Sequence, residues 1–183
     1  MRQFITQKLA QQTPRILTAK SQISAAVLVA ITDDHDNPEV ILTRRAKHMP
    51  THKGQIAFPG GKAEDDDKSL IATALREASE EVALRPESVV VVGQMGQVLS
   101  RQGFVVTPVV GVVPAGIVSE LIPNLGELDR IFTVPLKFLI DGPRVMDALP
   151  LAKGVNQVPS FYYDDYRIWG MTAFILAEFV NLV

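Results

Sequence analysis

The stretch that decides the fold is GGKAEDDDKSLIATALREASEEVAL, Gly60 to Leu84. From Ser69 onward it has helical spacing. At about 100° per residue, Leu70, Ile71, Ala74, Leu75, Ala78 and Val82 fall in one apolar stripe, and Lys68, Ala72 and Ser79 fall opposite it. Glu77, Glu80 and Glu81 follow Arg76 within about one turn, where residues three and four apart are neighbours. Glu77 and Glu81 land at the border of the apolar stripe, with Glu80 one step outward. A solvated acidic edge is the ordinary reading of such a cluster. Its place beside the buried stripe argues against that, because a carboxylate near the core needs a partner. Oxygen ligands alone select a hard cation, Mg2+ or Mn2+. Arg76 precedes Glu80 by four residues and is placed to hold it.

The ends of the helix are marked as well. Asp65, Asp66, Asp67 and Ser69 are all N-cap types, and acids favour the positive helix end. Gly60 and Gly61 give the preceding turn conformations closed to other residues.

This segment resembles the Nudix box, the signature of hydrolases that split nucleoside diphosphates linked to another moiety. Gly61 matches the opening glycine, and Arg76, Glu77, Ala78, Glu80, Glu81 and Leu84 match the second half in order. There are three departures. Asp67 stands where a first Glu is expected, one extra residue lies between Gly61 and Arg76, and Ala83 replaces the closing glycine. If Ala83 adopts a left-handed conformation, it does so at a cost of about 1 kcal/mol.

Just upstream, ILTRRAKHMPTHKGQIAFPGG, Ile41 to Gly61, resembles the motif of the coenzyme A diphosphatase branch of that family. Leu42, Thr43, Arg45, Ala46, Gly54, Phe58, Pro59, Gly60 and Gly61 match at the motif's spacing. Ile41 is a conservative swap, and Pro50 replaces the motif's second Arg. The resemblance implies an α/β/α sandwich with a mixed sheet between helices. It also implies metal-dependent hydrolysis of coenzyme A, or a derivative, to 3′,5′-ADP and 4′-phosphopantetheine. Pro50 keeps open a Nudix enzyme for another substrate, such as ADP-ribose or NADH. A Nudix-fold binding module without catalysis ranks last, since all three box glutamates are present.

By the same resemblance, Glu77 and Glu81 are the main metal ligands, with the Gly61 carbonyl as a further one. Glu80 adds a ligand or helps activate water, and Arg76 orients it. Glu127, in the loop-like stretch IPNLGELDR, is the leading candidate base outside the box, and Glu120 is a weaker rival. Arg44, Arg45, Lys47, His48, His52 and Lys53 form a basic run into the Gly60-Gly61 turn that suits substrate phosphates. Arg45, Arg44 and Gly60 are the expected substrate contacts. Phe161, Tyr162, Tyr163, Tyr166 and Trp169 either pack in the core or stack on adenine or pantetheine.

A chain of 183 residues suits a single domain, 1–183. It has no cysteine and three histidines, which excludes a disulfide framework, a thiolate zinc site and a cysteine nucleophile, and disfavours a histidine metal cluster. A net charge of −2 argues against general nucleic-acid binding. The first residues lack the apolar core of a signal peptide, and no apolar run reaches spanning length. The expected location is the cytoplasm. The metal count and the oligomeric state stay open.

Around the box, Phe4 to Gln11 reads as a short helix. Ile23 to Thr32 and Glu39 to Arg44 read as a hairpin, and Gln55 to Phe58 as a short strand. Val89 to Leu99 and Phe104 to Val113 read as strands about the Ser100–Gly103 turn. Pro114 to Leu125 is expected to be a loop with weak strand character, and Leu136 to Ile140 a helical turn. Pro143 to Gln157 carries no clear signal. Pro159 to Tyr163 and Tyr166 to Trp169 read as a second hairpin, and Met171 to Leu182 as a closing helix.

Overall fold

The architecture comes from a computed structural model that describes residues 1–17, 23–151 and 154–183. Strand β1 (Ser24–Thr32) is its axis. It pairs in parallel along its whole length with β7 (Val105–Val113), Ser24 against Val105 through Thr32 against Val113. Its other edge is shared. Near its C-terminal end Ile31 meets Val40 of β2 (Glu39–Arg45), and near its N-terminal end Ala25, Ala26 and Val27 meet β4 (Gly60–Lys62). The pairing of β1 with two strands leaves β2 and β4 to diverge. Between them runs residues 46–59, with the two-residue β3 (Ile56–Ala57) paired back onto β2. Outside β7 lie β5 (Val90–Gln94) and β6 (Val98–Leu99), and outside β2 lies β8 (Leu128–Pro135).

Both faces of this mixed sheet are covered, so β1 is buried almost throughout rather than in alternation. The period of two still sorts its side chains. Ala26, Leu28 and Ala30 pack with Ala74, Ala78 and Val82 of helix α2 (Leu70–Val82). Val29 and Ile31 pack on the opposite side with Ile5 and Leu9 of α1 (Arg2–Ala10) and with Leu139 of α3 (Leu136–Asp141). Ile175, Leu176 and Phe179 of α4 (Gly170–Leu182) complete that side. This is the α/β/α sandwich expected.

A three-stranded sheet, β9 (Val145–Leu151), β10 (Gly154–Tyr163) and β11 (Tyr166–Ile168), leads into α4. It accounts for most of the stretch that gave no signal; residues 152–153 of that stretch lie outside the described residues. The late aromatics divide. Phe161 is fully buried, Tyr166 stacks on Phe132 at 4.0 Å, and Tyr162 and Trp169 are exposed.

Three local expectations need correction. Residues 114–125 contain a 3-10 helix, Ala115–Glu120, instead of extended chain. The run Val89 to Leu99 is broken into β5 and β6, with a register shift between Val91 and Gly93. Leu128–Pro135, read as loop in its first part, is a strand paired along β2. Asp129 and Arg130 are exposed there, and they hide its apolar alternation. Among the described residues no helix is long and apolar enough to cross a membrane.

Candidate active site

Helix α2 begins as its sequence requires. Ser69 is the N-cap, and its hydroxyl accepts from the Ala72 N–H at 3.2 Å. Such a cap contributes about 1 kcal/mol. At the other end Ala83 takes φ 56° and ψ 25°, the left-handed conformation that a glycine would adopt without strain. The Ala83 and Leu84 N–H groups nevertheless close on the Ser79 and Ala78 carbonyls.

The three glutamates differ in depth as the helical angles imply. Glu81 is 7% exposed, Glu77 is 16% exposed and Glu80 is 56% exposed. Glu81 is therefore part of the buried face, deeper than the border position expected, and Thr73 is buried there too. Arg76 is the hub beside them. It donates to Glu77 Oε1 at 3.1 Å, to Glu80 Oε2 at 3.2 Å and to the Lys62 carbonyl at 3.0 Å. Its strongest partner is Asp67, gripped in a fork by Nε at 3.1 Å and Nη2 at 3.0 Å. That fork holds the Asp67 carboxyl well below the usual carboxylate range. The acid that replaces the first box glutamate thus reaches Arg76 across the extra residue.

Gly60 and Gly61 have separate tasks. The Gly60 N–H donates to Glu81 Oε2 at 3.1 Å, so this expected substrate contact is spent on placing a carboxylate. Gly61 lies directly against the Glu77 carboxylate, with no room for a side chain. The charge of Glu127 acts on both of these carboxylates. Burial, aided by Glu77 and Glu127 and opposed by the Gly60 bond, pushes Glu81 up to about 7. Burial also raises Glu77, against the pull of Arg76.

Glu127 is held from two directions. Its carbonyl accepts from the Ala46 N–H at 2.8 Å, and its N–H donates to the Asn124 carbonyl at 2.9 Å. The Asn124 N–H in turn donates to the Glu81 carbonyl at 2.8 Å, tying this loop to the end of α2. Arg45 Nη1 stands 3.7 Å from Glu127 Oε2, and Arg45 Nε is buried with no hydrogen-bond partner. Arg44 points elsewhere, bound to Asp129 at 2.6 Å and lying 5.8 Å from the Tyr166 ring centre. Glu120 pairs with Arg85 at 3.9 Å and joins none of these contacts. Sequence reading missed Asp67 as the partner of Arg76. The signal was present as an acid at the N-terminal end of the helix, read there as a cap type and as a stand-in for the first box glutamate.

The donor set fits a divalent cation. Arg76 compensates Asp67, Glu77 and Glu80 but not Glu81. Glu81 is a buried carboxylate that feels the charges of Glu77 and Glu127, offset by the Gly60 N–H and the charge of Arg45. Glu77 and Glu80 are turned to Arg76, and among the described residues no three acid or histidine side chains yet close on one point.

A sheet with this helix and acid cluster, and with Gly60 and Gly61 in strand β4 rather than in the turn expected, defines a class: the chain belongs to the Nudix family of hydrolases, whose NUDIX domain matches residues 22–138. Members of that class generally use divalent metals. The Nudix hydrolase NudL of Yersinia pestis, itself uncharacterized, is 42% identical over 160 residues, 87% of this chain and 79% of its own. Its Yersinia pseudotuberculosis counterpart is equally similar. Among solved structures, the NUDIX domain of Shewanella oneidensis NrtR, complexed with ADP ribose, matches 75% of this chain and 86% of its own. Its TM-score is 0.52 at 22% identity. The Nudix hydrolase RenU from M. Smegmatis matches 67% of this chain and 76% of its own, with a TM-score of 0.53 at 22% identity. At that identity these two speak for the fold alone.

Proposed function

We propose that this Nudix hydrolase is a Mg2+- or Mn2+-dependent diphosphatase that cleaves coenzyme A, or a derivative, into 3′,5′-ADP and 4′-phosphopantetheine. The observation that carries the reading is Arg45. It is the arginine of the upstream motif, it stands beside Glu127, and its buried Nε lacks a partner. A guanidinium in that state suits a phosphate oxygen, which it can bind through two N–H groups. Glu77 and Glu81 would hold the metal, with Glu80 and the Gly61 carbonyl as further oxygens. When bound, the ion neutralises diphosphate charge and lowers the pKa of a water.

This chain's own residues do the rest. Glu127 takes a proton as water adds to phosphorus, and the bond from that phosphorus to the bridging oxygen breaks. Arg45 neutralises charge on the same group. Arg76 fixes Glu77 and Glu80 through short hydrogen bonds. Residues from 45 to 127 meet at one end of one sheet, which supports one catalytic domain, and its proposed location is the cytoplasm.

Pro50, exposed in the segment between β2 and β3, favours a second reading in which ADP-ribose or NADH is the substrate. A panel of coenzyme A, dephospho-coenzyme A, ADP-ribose and NADH with Mg2+ or Mn2+, products identified by mass, separates the two. Coenzyme A is expected to have the highest kcat/KM, and a preference for ADP-ribose or NADH would overturn the assignment.

A further inference from the structure

The segment 46–55 is tied down at two histidines. His48 Nε2 donates to the Gly126 carbonyl at 3.1 Å, beside Glu127. His52 makes two bonds: its Nδ1 donates to Gln55 Oε1 at 2.7 Å, and its Nε2 accepts from Gln102 Nε2 at 2.6 Å. The second bond joins residues 50 apart in sequence and carries the Ser100–Gly103 turn to the segment's far end. An independent contact places the same turn: the Lys62 ammonium lies 5.2 Å from the ring centre of Phe104, one residue from Gly61 in the chain. The end of the turn is thereby drawn toward Lys62, the neighbour of the Gly61 that lies against the Glu77 carboxylate.

The latch brings together two cationic neighbours. Lys53 follows His52 and Arg101 precedes Gln102, and both are exposed. Neither has an ion-pair partner among the described residues, whereas Arg44, Arg45 and Arg76 are each engaged with carboxylates. Two exposed cations carried on either side of one hydrogen bond, neither of them in an ion pair, favour an anion. Arg45 is turned to Glu127 and the reacting centre, so it is not free to meet a second anionic group further out.

We propose that Lys53 and Arg101, latched by the His52–Gln102 hydrogen bond, form a subsite for a phosphomonoester of the substrate lying outside the diphosphate. This makes the Ser100–Gly103 turn a specificity-determining wall. The inference rests on the coenzyme A reading, whose 3′-phosphate is such a group.

The test compares the native protein with Arg101→Ala, Lys53→Ala, the double variant and Gln102→Ala. Calorimetry measures the affinity of 3′,5′-ADP and 5′-AMP, which differ by that phosphate alone, and kinetics measure kcat/KM on coenzyme A and dephospho-coenzyme A. The native protein is expected to favour the 3′-phosphorylated member of each pair by about tenfold or more, the size of one charge-assisted contact. The double variant should lose most of that ratio. Gln102→Ala should lose part of it although it changes no charge. A double variant that keeps the native binding ratio, or a native protein with no ratio to lose, overturns the inference. If the binding ratio depends on these residues but ADP-ribose or NADH is the better substrate, the inference stands and the coenzyme A reading falls. If coenzyme A is preferred and the ratio survives both substitutions, the inference falls alone.

Discussion

Gly60 and Gly61 are adjacent, and the same methyl group added to each should have opposite consequences. At Gly61 the methyl would overlap Oε1 and Cδ of Glu77 and stand 2.7 Å from its Oε2. Ordinary contact needs roughly 3.5 Å, so the carboxylate must retreat by about 1 Å. It can, because it is the free end of a flexible side chain. The structural loss is then confined to the 3.1 Å bond from Arg76, which keeps Asp67 and Glu80. That is worth about 1 kcal/mol, a fall of about 2–4 °C in Tm for a chain of this size. A 1 Å misplacement of a group in the reacting centre costs about a hundredfold in rate. At Gly60 the methyl would overlap the Ala26 carbonyl and stand 2.6 Å from Val27 Cα. Backbone in the central strand cannot retreat so cheaply, and a loss above about 4 kcal/mol is expected. Scanning calorimetry and metal-dependent turnover of both variants make the check. A Gly61→Ala protein with undiminished turnover would refute the placing of Glu77 at the reacting centre. One that unfolds like Gly60→Ala would refute the claim that only a side chain stands in the way.

Glu81→Gln should lower turnover by orders of magnitude. In excess chelator above pH 7 it should melt higher than its parent, because it removes a charge whose burial pushes its carboxyl from 4.5 to about 7, worth up to about 3 kcal/mol. Glu127→Gln should lower kcat while leaving metal affinity, measured by Mn2+ titration, nearly unchanged; an unaltered rate would point to Glu80 as the base. Asp67 lies below the usual carboxylate range in the fold, so its pair with Arg76 contributes stability above about pH 4 and loses it as pH falls. Asp67→Asn should therefore lower Tm at pH 7 and flatten its acid decline, followed by circular dichroism. Ala83→Gly relieves a left-handed alanine that is exposed and packs on little, and should raise Tm by about 1–4 °C with turnover unchanged.

What the sequence disclosed was whatever depends on neighbours along the chain. Helical spacing placed Glu80 outward of Glu77 and Glu81, though not Glu81 deeper than Glu77, and the Arg76–Glu80 contact follows from four-residue separation. Ser69 as cap and Ala83 as a left-handed residue are equally local. The rest depends on chain crossings. Nothing near Glu127 states that its loop closes on α2, because the bonds that bring it there, Ala46 to Glu127 and Asn124 to Glu81, join distant parts of the chain. Arg44 and Arg45 look alike in sequence. The register shift between them in β2 accompanies their division, one guanidinium to Asp129 and the other to Glu127. The strand at Leu128–Pro135 escaped notice because its pairing with β2, rather than its composition, defines it.

The parallel pairing of β1 with β7 also sets an order of events in the chain's formation. Ser24 meets Val105 and Thr32 meets Val113, partners about eighty residues apart. No tight turn can join parallel neighbours, and such distant closure is slow. During synthesis the whole Gly60–Val82 segment emerges before β7, the strand that pairs along β1 beneath it. Helix α2 can form early, since its cap and spacing are local, but Ala74, Ala78 and Val82 gain their full bed only when Val109 and Val113 arrive. Until then Glu81 sits in water, ionised like any surface acid. The residue acquires its unusual proton affinity at the moment the last central strand docks, so refolding and the birth of the reactive centre should share a single kinetic phase.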